Sequence, residues 1–322
     1  MKNIIIKIWP EVNGYIPITI PLPNIKKRKN DLFFDFSNCT SVNSTGLTML
    51  LSKVLKMLIS SNAKRQWDSN FNLESKVFSK ILYLNFFKII DQYLPSNNIF
   101  YQNKVNRLGT QPVSNLDFDN DIKSFPIYVF DFRSRKSNKR KFVYHFRKWL
   151  YEILNSYSEK YDFHLTQLIS VLSEMAKNSA DHTSENAYFG LDIFKKNTNN
   201  LIELTFSFCD LGIGIKKTIE NHYSHQKVSK GGHGGLSDSY HRALTPGMTT
   251  KPDSGLNKGI GMSIILEGSK RIGLELSVFD ARCRGILSNF KTISHSDIRQ
   301  HFYNIGKEVG FCYFGKLIAK RM

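Results

Sequence analysis

The sequence predicts a mixed α/β protein of the α+β kind, folded as two domains. Three observations lead there. Near the start, apolar residues recur at every second position at Ile4, Ile6, Ile8, then Ile16, Ile18, Ile20, then Leu32, Phe34, Phe36, the period of half-buried strands. Residues 47–58 and 165–176 instead carry apolar side chains at helical spacing. A chain of 322 residues is also longer than one typical domain.

Taken in order, the first half continues with "STGLTMLLSKVLKML", a helix striped by Leu47, Leu50, Leu51, Val54, Leu55 and Leu58. A second helical segment, about 74–92, runs through "VFSKILYLNFFKII". Residues 93–121, rich in Asn, Pro, Gly and Asp, read as loop. The short strand "IYVFDF" (127–132) follows, and then "RSRKSNKRK" (133–141), six of whose nine residues are basic. That run and "KKRK" (26–29) read as solvated segments ahead of anion-binding elements, since charge runs usually face water.

In the second half, Val143, Phe146, Leu150, Ile153, Leu154 and Tyr157 stripe a first helix. Leu165, Leu168, Ile169, Leu172, Met175 and Ala176 stripe a second. "LIELTFSFCD" alternates at Ile202, Leu204, Phe206 and Phe208, and "LELSVF" at Leu274, Leu276 and Val278. A long Gly-, Ser- and His-rich loop and a helix over 260–271 separate them, and "GFCYFGKLIAKRM" closes the chain as a strand. Helices placed before and between strands predict a mixed sheet with helices on one face. The boundaries expected are a domain over 1–115, a joint over 116–140 and a domain over 141–322.

Hydrophobic residues make up 41% and charged residues 22%, the balance of a chain with a real core. No apolar run is long enough to span a bilayer, and the opening "MKNIIIKIWPEVNG" is too short an apolar run for a secretory signal. Cys39, Cys209, Cys283 and Cys312 lie far apart with no CxxC pair, as expected of reduced thiols in a cytoplasmic protein and not of a zinc site or disulfide framework. The net charge of +18 attracts nucleic acid, anionic lipid or phosphorylated ligands. A Lys-, Asn- and Ile-rich residue choice yields the same number without any binding role.

Candidate chemistry starts at "LSEMAKNSADHTS" (172–184). At about 100° per residue, Glu174, Asn178 and Asp181 fall on one ridge opposite the apolar stripe, free to line a pocket. A carboxylate and an amide four residues apart can divide a task, one taking a proton and the other offering its carbonyl oxygen to a hard cation. "CDLGIGI" then places Asp210, Gly212 and Gly214 at a strand end. There an Asp can accept from an exocyclic amine while the glycines admit a flat ring. The Gly-rich loop ends in Gly255, Gly259 and Gly261 before a helix, a phosphate cradle to which Lys251 or Lys258 adds charge. His222, His225 and His233 around "GGHGG" match no metal-ligand spacing and read as part of a lid.

In order and spacing, these pieces resemble the nucleotide-binding domain of the GHKL superfamily, which includes gyrase B, Hsp90, histidine kinases, MutL and the anti-sigma serine kinases. "EMAKNSADH" resembles the N-box, "DLGIG" the G1 box and "GLNKGIGM" the G2 box, over roughly 141–322. The resemblance implies a Bergerat-type fold that takes ATP with Mg²⁺, under a lid at about 225–258. It implies Asp210 on the adenine amino group, Asn178 on the metal and Glu174 as general base. It further implies nucleotide contacts from Gly212, Gly214, Lys258, Gly259 and Gly261, with His182 packed near the nucleotide. The family's last strand carries a Gly-Thr; the matching place here reads as Gly315-Lys316, without the Thr.

The first half resembles a STAS domain of the anti-sigma-factor antagonist type, an α/β sandwich, through "LFFDFSNCTSVNSTGLTMLLSKVL" (32–55). The family's phosphorylatable serine falls on Ser44, preceded by Asn43 where the family has Asp. Ser44 or Thr45 also reads as a cap for the helix that follows. The expected function is a Mg-ATP-binding regulatory protein that hydrolyses ATP or phosphorylates a partner's serine or threonine. Its protein partners would be met through the STAS-like domain or the lid, with no membrane. The alternatives are a non-catalytic ATP-dependent switch and a nucleic-acid-associated ATPase. Most Phe and Tyr sit at core-periodic positions, which disfavours the last.

Overall fold

The computed structural model describes residues 4–7, 11–12, 32–59, 67–70, 76–93, 122–133, 139–183, 185–196, 200–224, 236–245, 261–280, 283–289, 291, 300, 302–304 and 311–322. It is a mixed α/β protein with helices, a parallel sheet and a larger sheet with antiparallel pairing. Two compact units divide it. One comprises residues 1–128 with 189–194 and 205–207; the other comprises 129–188, 195–204 and 208–322.

In the first unit, β1 (Ile4–Lys7), β3 (Leu32–Asp35) and β5 (Trp67–Asn70) form a parallel sheet in the order β1-β3-β5, with Ile4 opposite Leu32 and Leu32 opposite Trp67. β2 (Glu11–Val12) pairs with β4 (Ser41–Val42), also parallel. The helix predicted over 47–58 is α1 (Ser44–Ile59). It is buried all round from Ser44 to Leu55, polar residues included, so its stripe understates its burial. Phe34 and Phe36 of the β3 strand region meet Phe86 and Phe87 edge to face, at centroid distances of 5.9–6.3 Å.

The single helix expected over 74–92 is two helices, α2 (Lys76–Tyr83) and α3 (Phe86–Ile90). Asn85 breaks it, with φ of 64°, in the left-handed region that Asn tolerates better than most residues.

The cap of α1 is neither Ser44 nor Thr45. Asn43 Oδ1 accepts the Gly46 N–H at 2.8 Å and the Thr45 hydroxyl at 3.1 Å. The Ser44 and Thr45 amides donate instead to the carboxylate of Asp192, at 2.9 and 2.8 Å. Asp192 is fully buried, and burial raises its pKa above the usual carboxylate value despite those bonds. Ser44 is itself 0% exposed.

Residues 116–140, read as a joint, contribute β6 (Ile122–Ser124), β7 (Tyr128–Phe130) and the first two residues of α4 (Lys139–Ser158). In the second unit α4 packs on α5 (Leu165–His182). β8 (Ala187–Lys196) and β9 (Leu201–Asp210) follow, with residues 189–194 and 205–207 of them counted in the first unit. Next come α6 (Gly214–Ser224), α7 (Leu236–Leu244) and α8 (Gly261–Arg271), the last packed on α5. β10 (Glu275–Asp280), β11 (Cys283–Ile286), β12 (Phe302–Asn304) and β13 (Phe311–Lys320) complete the chain. The hydrogen-bonding order is β12-β11-β10-β13-β9-β8-β6, with β7 also paired to β8. β10 runs antiparallel to both β11 and β13, with Val278 opposite Tyr313.

Two expectations change here. The stretch read as one long loop holds α6 and α7. β9, read as having one buried face, is buried on both from Leu204 to Asp210. Its polar side chains are small enough to be enclosed, and the Ser207 hydroxyl donates to the Thr45 carbonyl at 3.0 Å. Among the described residues, no helix is long and apolar enough to cross a membrane.

Candidate nucleotide-type pocket

Within the second unit, α5, the end of β9, the starts of α6 and α8, and the start of β13 surround one cavity. It is a half-open cavity with a volume of about 100 Å³. The order of the strands explains the convergence. Asp210 ends β9, and β13, its neighbour in the sheet, begins at Phe311, so distant stretches of chain share one rim.

Asp210 lines the cavity and is 7% exposed. Its two oxygens are held separately: Oδ2 accepts the Ser179 hydroxyl at 2.9 Å and Oδ1 the Gly212 N–H at 2.8 Å. The two bonds fix the orientation of the carboxylate at the cavity wall. Ile213, Ile215, Ile219, Met262 and Phe311 supply apolar lining, and Ile213 is 51% exposed. One fixed acceptor among apolar side chains suits a flat ring that carries an amino group.

The predicted ridge of Glu174, Asn178 and Asp181 divides. Asn178 lines the cavity, and its buried Nδ2 has no hydrogen-bond partner among the described residues. Glu174 does not line it, but both side chains converge on Gly261, the first residue of α8. A Cβ there would lie 2.5 Å from Asn178 Oδ1 and 2.9 Å from Glu174 Oε1. Glu174 Oε1 also accepts from Lys177 Nζ at 3.0 Å. Asp181, the third member of the predicted ridge, is not among the cavity's lining residues; His182, exposed, is.

The glycines are required for a different reason from the one the sequence suggested. A Cβ on Gly212 would lie 2.9 Å from both Asp210 Oδ1 and Thr183 Oγ1. Gly214 has φ of +85°, and a Cβ there would overlap Asp280 Oδ1. Both line the cavity, yet internal packing already demands them. Asp280 Oδ2 accepts the Lys216 N–H at 2.9 Å and the Tyr240 hydroxyl at 3.1 Å, so this buried carboxylate ties the start of α6 and the middle of α7 to the end of β10. Lys258 and Gly259 lie outside the described residues, as do Lys251, Gly255, His225, His233 and the lid apart from α7.

Gly315 and Lys316 do not line the cavity; Lys316 Nζ pairs with Glu203 Oε2 at 3.2 Å. Phe311 and Tyr313 hold the place beside Asp210. Sequence reasoning missed them, along with Ser179, Thr183 and Met262. The only available signal was strand alternation, which puts Tyr313 on the same face as Gly315.

Among the described residues no three His, Cys, Asp or Glu side chains gather into a metal cage. The oxygen donor of Asn178 suits Mg²⁺, which commonly takes few protein ligands and completes its shell with phosphates and water. The orphaned amide at the same residue fits a ligand with phosphate oxygens. No protein family matches the chain, and neither a curated protein nor a solved structure matches it.

Proposed function

We propose that the second unit is a Bergerat-type, GHKL-like domain that binds Mg-ATP. In this reading it hydrolyses the nucleotide or passes its terminal phosphate to a serine or threonine of a partner. The STAS-like first unit serves as a regulatory or docking element. The observation that carries the reading is the sharing of one cavity by Asp210 and Asn178, with apolar side chains around them and Glu174 alongside at Gly261.

Asp210 takes the amino group of the base, and the apolar side chains take the ring faces. Asn178 would hold the metal through Oδ1 and offer its N–H to ligand oxygens. Bound Mg²⁺ supplies neutralisation of phosphate charge. Glu174 removes the proton from the attacking water or hydroxyl. Phosphoryl transfer depends mainly on position and charge, so this is sufficient machinery. The Lys177 ammonium engages Oε1, so the proton goes to the other carboxylate oxygen.

The test follows label from γ-phosphate. The purified chain is incubated with γ-labelled ATP and Mg²⁺, and free phosphate, phosphoserine and phosphothreonine are measured. Asp210→Asn puts an amide group where the amine needs an acceptor and should abolish binding. Normal ATP affinity in that variant refutes the assignment. The Lys177–Glu174 pair also favours a second reading, a switch that binds ATP without turnover. That reading requires saturable binding with no label released or transferred.

A further inference from the structure

Tyr313 is a buried donor of the cavity whose hydroxyl has found only a weak acceptor. Its side chain is 1% exposed and lines the cavity from β13. A buried tyrosine hydroxyl normally finds an oxygen or nitrogen acceptor. This one donates to Met262 Sδ at 3.1 Å, and a thioether is a weak acceptor. The nearby carboxylates are already engaged: Asp210 by Ser179 and Gly212, Asp280 by Tyr240 and Lys216.

Burial, reinforced by the negative charge of Asp210 and Asp280, pushes the Tyr313 phenol far above its ordinary pKa, so it stays protonated and remains a donor. Met262 is unbranched, only half-buried and on the first turn of α8, so it can yield its place.

We propose that Tyr313 is a specificity-determining residue whose hydroxyl leaves Met262 Sδ to donate to a ring nitrogen flanking the amino group held by Asp210. The inference rests on the nucleotide reading above and adds to it. The cavity then reads two atoms of the base, a donor through Asp210 and an acceptor through Tyr313. A 6-aminopurine offers that pair. A 6-oxopurine sets a carbonyl against the Asp210 carboxylate and, at N1, a donor against a donor.

Calorimetric titration of the full chain with Mg-ADP, and with its 1-deaza and 7-deaza analogues, tests this with wild type and Tyr313→Phe. Phenylalanine keeps the edge-to-face contact with Phe311, whose ring centroid lies 5.0 Å away, so the fold should persist; thermal unfolding checks this. Tyr313→Phe should bind Mg-ADP about tenfold more weakly, the worth of one hydrogen bond. One deaza analogue should bind wild type about tenfold more weakly than ADP and show no further loss in the variant. A merely structural tyrosine would weaken all three ligands alike, which overturns the proposal. Equal ADP affinity in wild type and variant also overturns it, while sparing the nucleotide reading. A wild type that binds none of the three overturns both.

Discussion

Gly261→Ala isolates the contact between α5 and α8 on which turnover should depend. The new methyl carbon would sit 2.5 Å from Asn178 Oδ1, whereas carbon and oxygen rest about 3.3 Å apart or more. Asn178 must therefore retreat by about 0.8 Å, and Glu174, 2.9 Å from the same carbon, by about half that. Both are ends of side chains, so the backbone need not move. Gly261 is the first residue of α8, where helix propensity counts little, so overpacking sets the loss at about 1–3 kcal/mol. Displacing a positioning group by about 1 Å costs on the order of a hundredfold in rate. The variant should thus fold, melt within a few degrees of wild type and release phosphate about a hundredfold more slowly. Adding Asn178→Ala relieves the overlap and should restore stability but not turnover. Wild-type turnover in Gly261→Ala would refute the placement of Asn178 and Glu174 beside the reacting phosphate.

Glu174→Ala should keep Mg-ADP affinity within a few-fold while phosphate release falls to background; undiminished release would remove Glu174 from the proton transfer. Asp192→Ala leaves the Ser44 and Thr45 amides without their acceptor and should cost at least about 2 kcal/mol in urea unfolding, with Asp192→Asn milder because one acceptor remains. Acid stability should depend on Glu203. Burial raises its pKa, but the bonds and charges of Lys196 and Lys316 outweigh that and hold it below the ordinary value. A folded pKa below the unfolded one means stability present at neutral pH and lost as pH falls through the folded value. Glu203→Gln should flatten that acid limb in pH-dependent melting.

The long helices were readable because one periodic stripe repeated over several turns. Leu47 to Leu58 and Leu165 to Ala176 leave few alternatives, and α1 and α5 appear there. The short elements were not readable. "WDSN" and "IKS" carry no apolar alternation, yet they pair as β5 and β6 because neighbouring strands accept their backbones. "LSDSYHRAL" forms α7 inside a Gly-rich stretch, where Tyr240 is buried and donates to Asp280, a bond between residues far apart in sequence. The burial of Ser207 and Thr205 was likewise hidden, because small hydroxyl residues look the same whether enclosed or solvated.

The site was legible where its members sit on one helix or one turn, and opaque where the sheet joins them. Glu174 and Asn178 follow from a spacing of four, and Asp210 from its glycines. Tyr313 reaches the cavity only because β13 lies between β10 and β9, and strand order is not written in any local pattern. The assembled polar groups share one deficit. Asn178 Nδ2 lacks an acceptor among the described residues, and Tyr313 has only a sulfur. An apolar occupant would leave both unsettled, at a cost of roughly 1–3 kcal/mol for a buried unpaired group. A ligand bearing a ring nitrogen and phosphate oxygens supplies an acceptor to each while giving its amino hydrogen to Asp210. Binding such a ligand removes a deficit that the free fold carries, and the same bonds that confer its affinity also stabilise the folded chain.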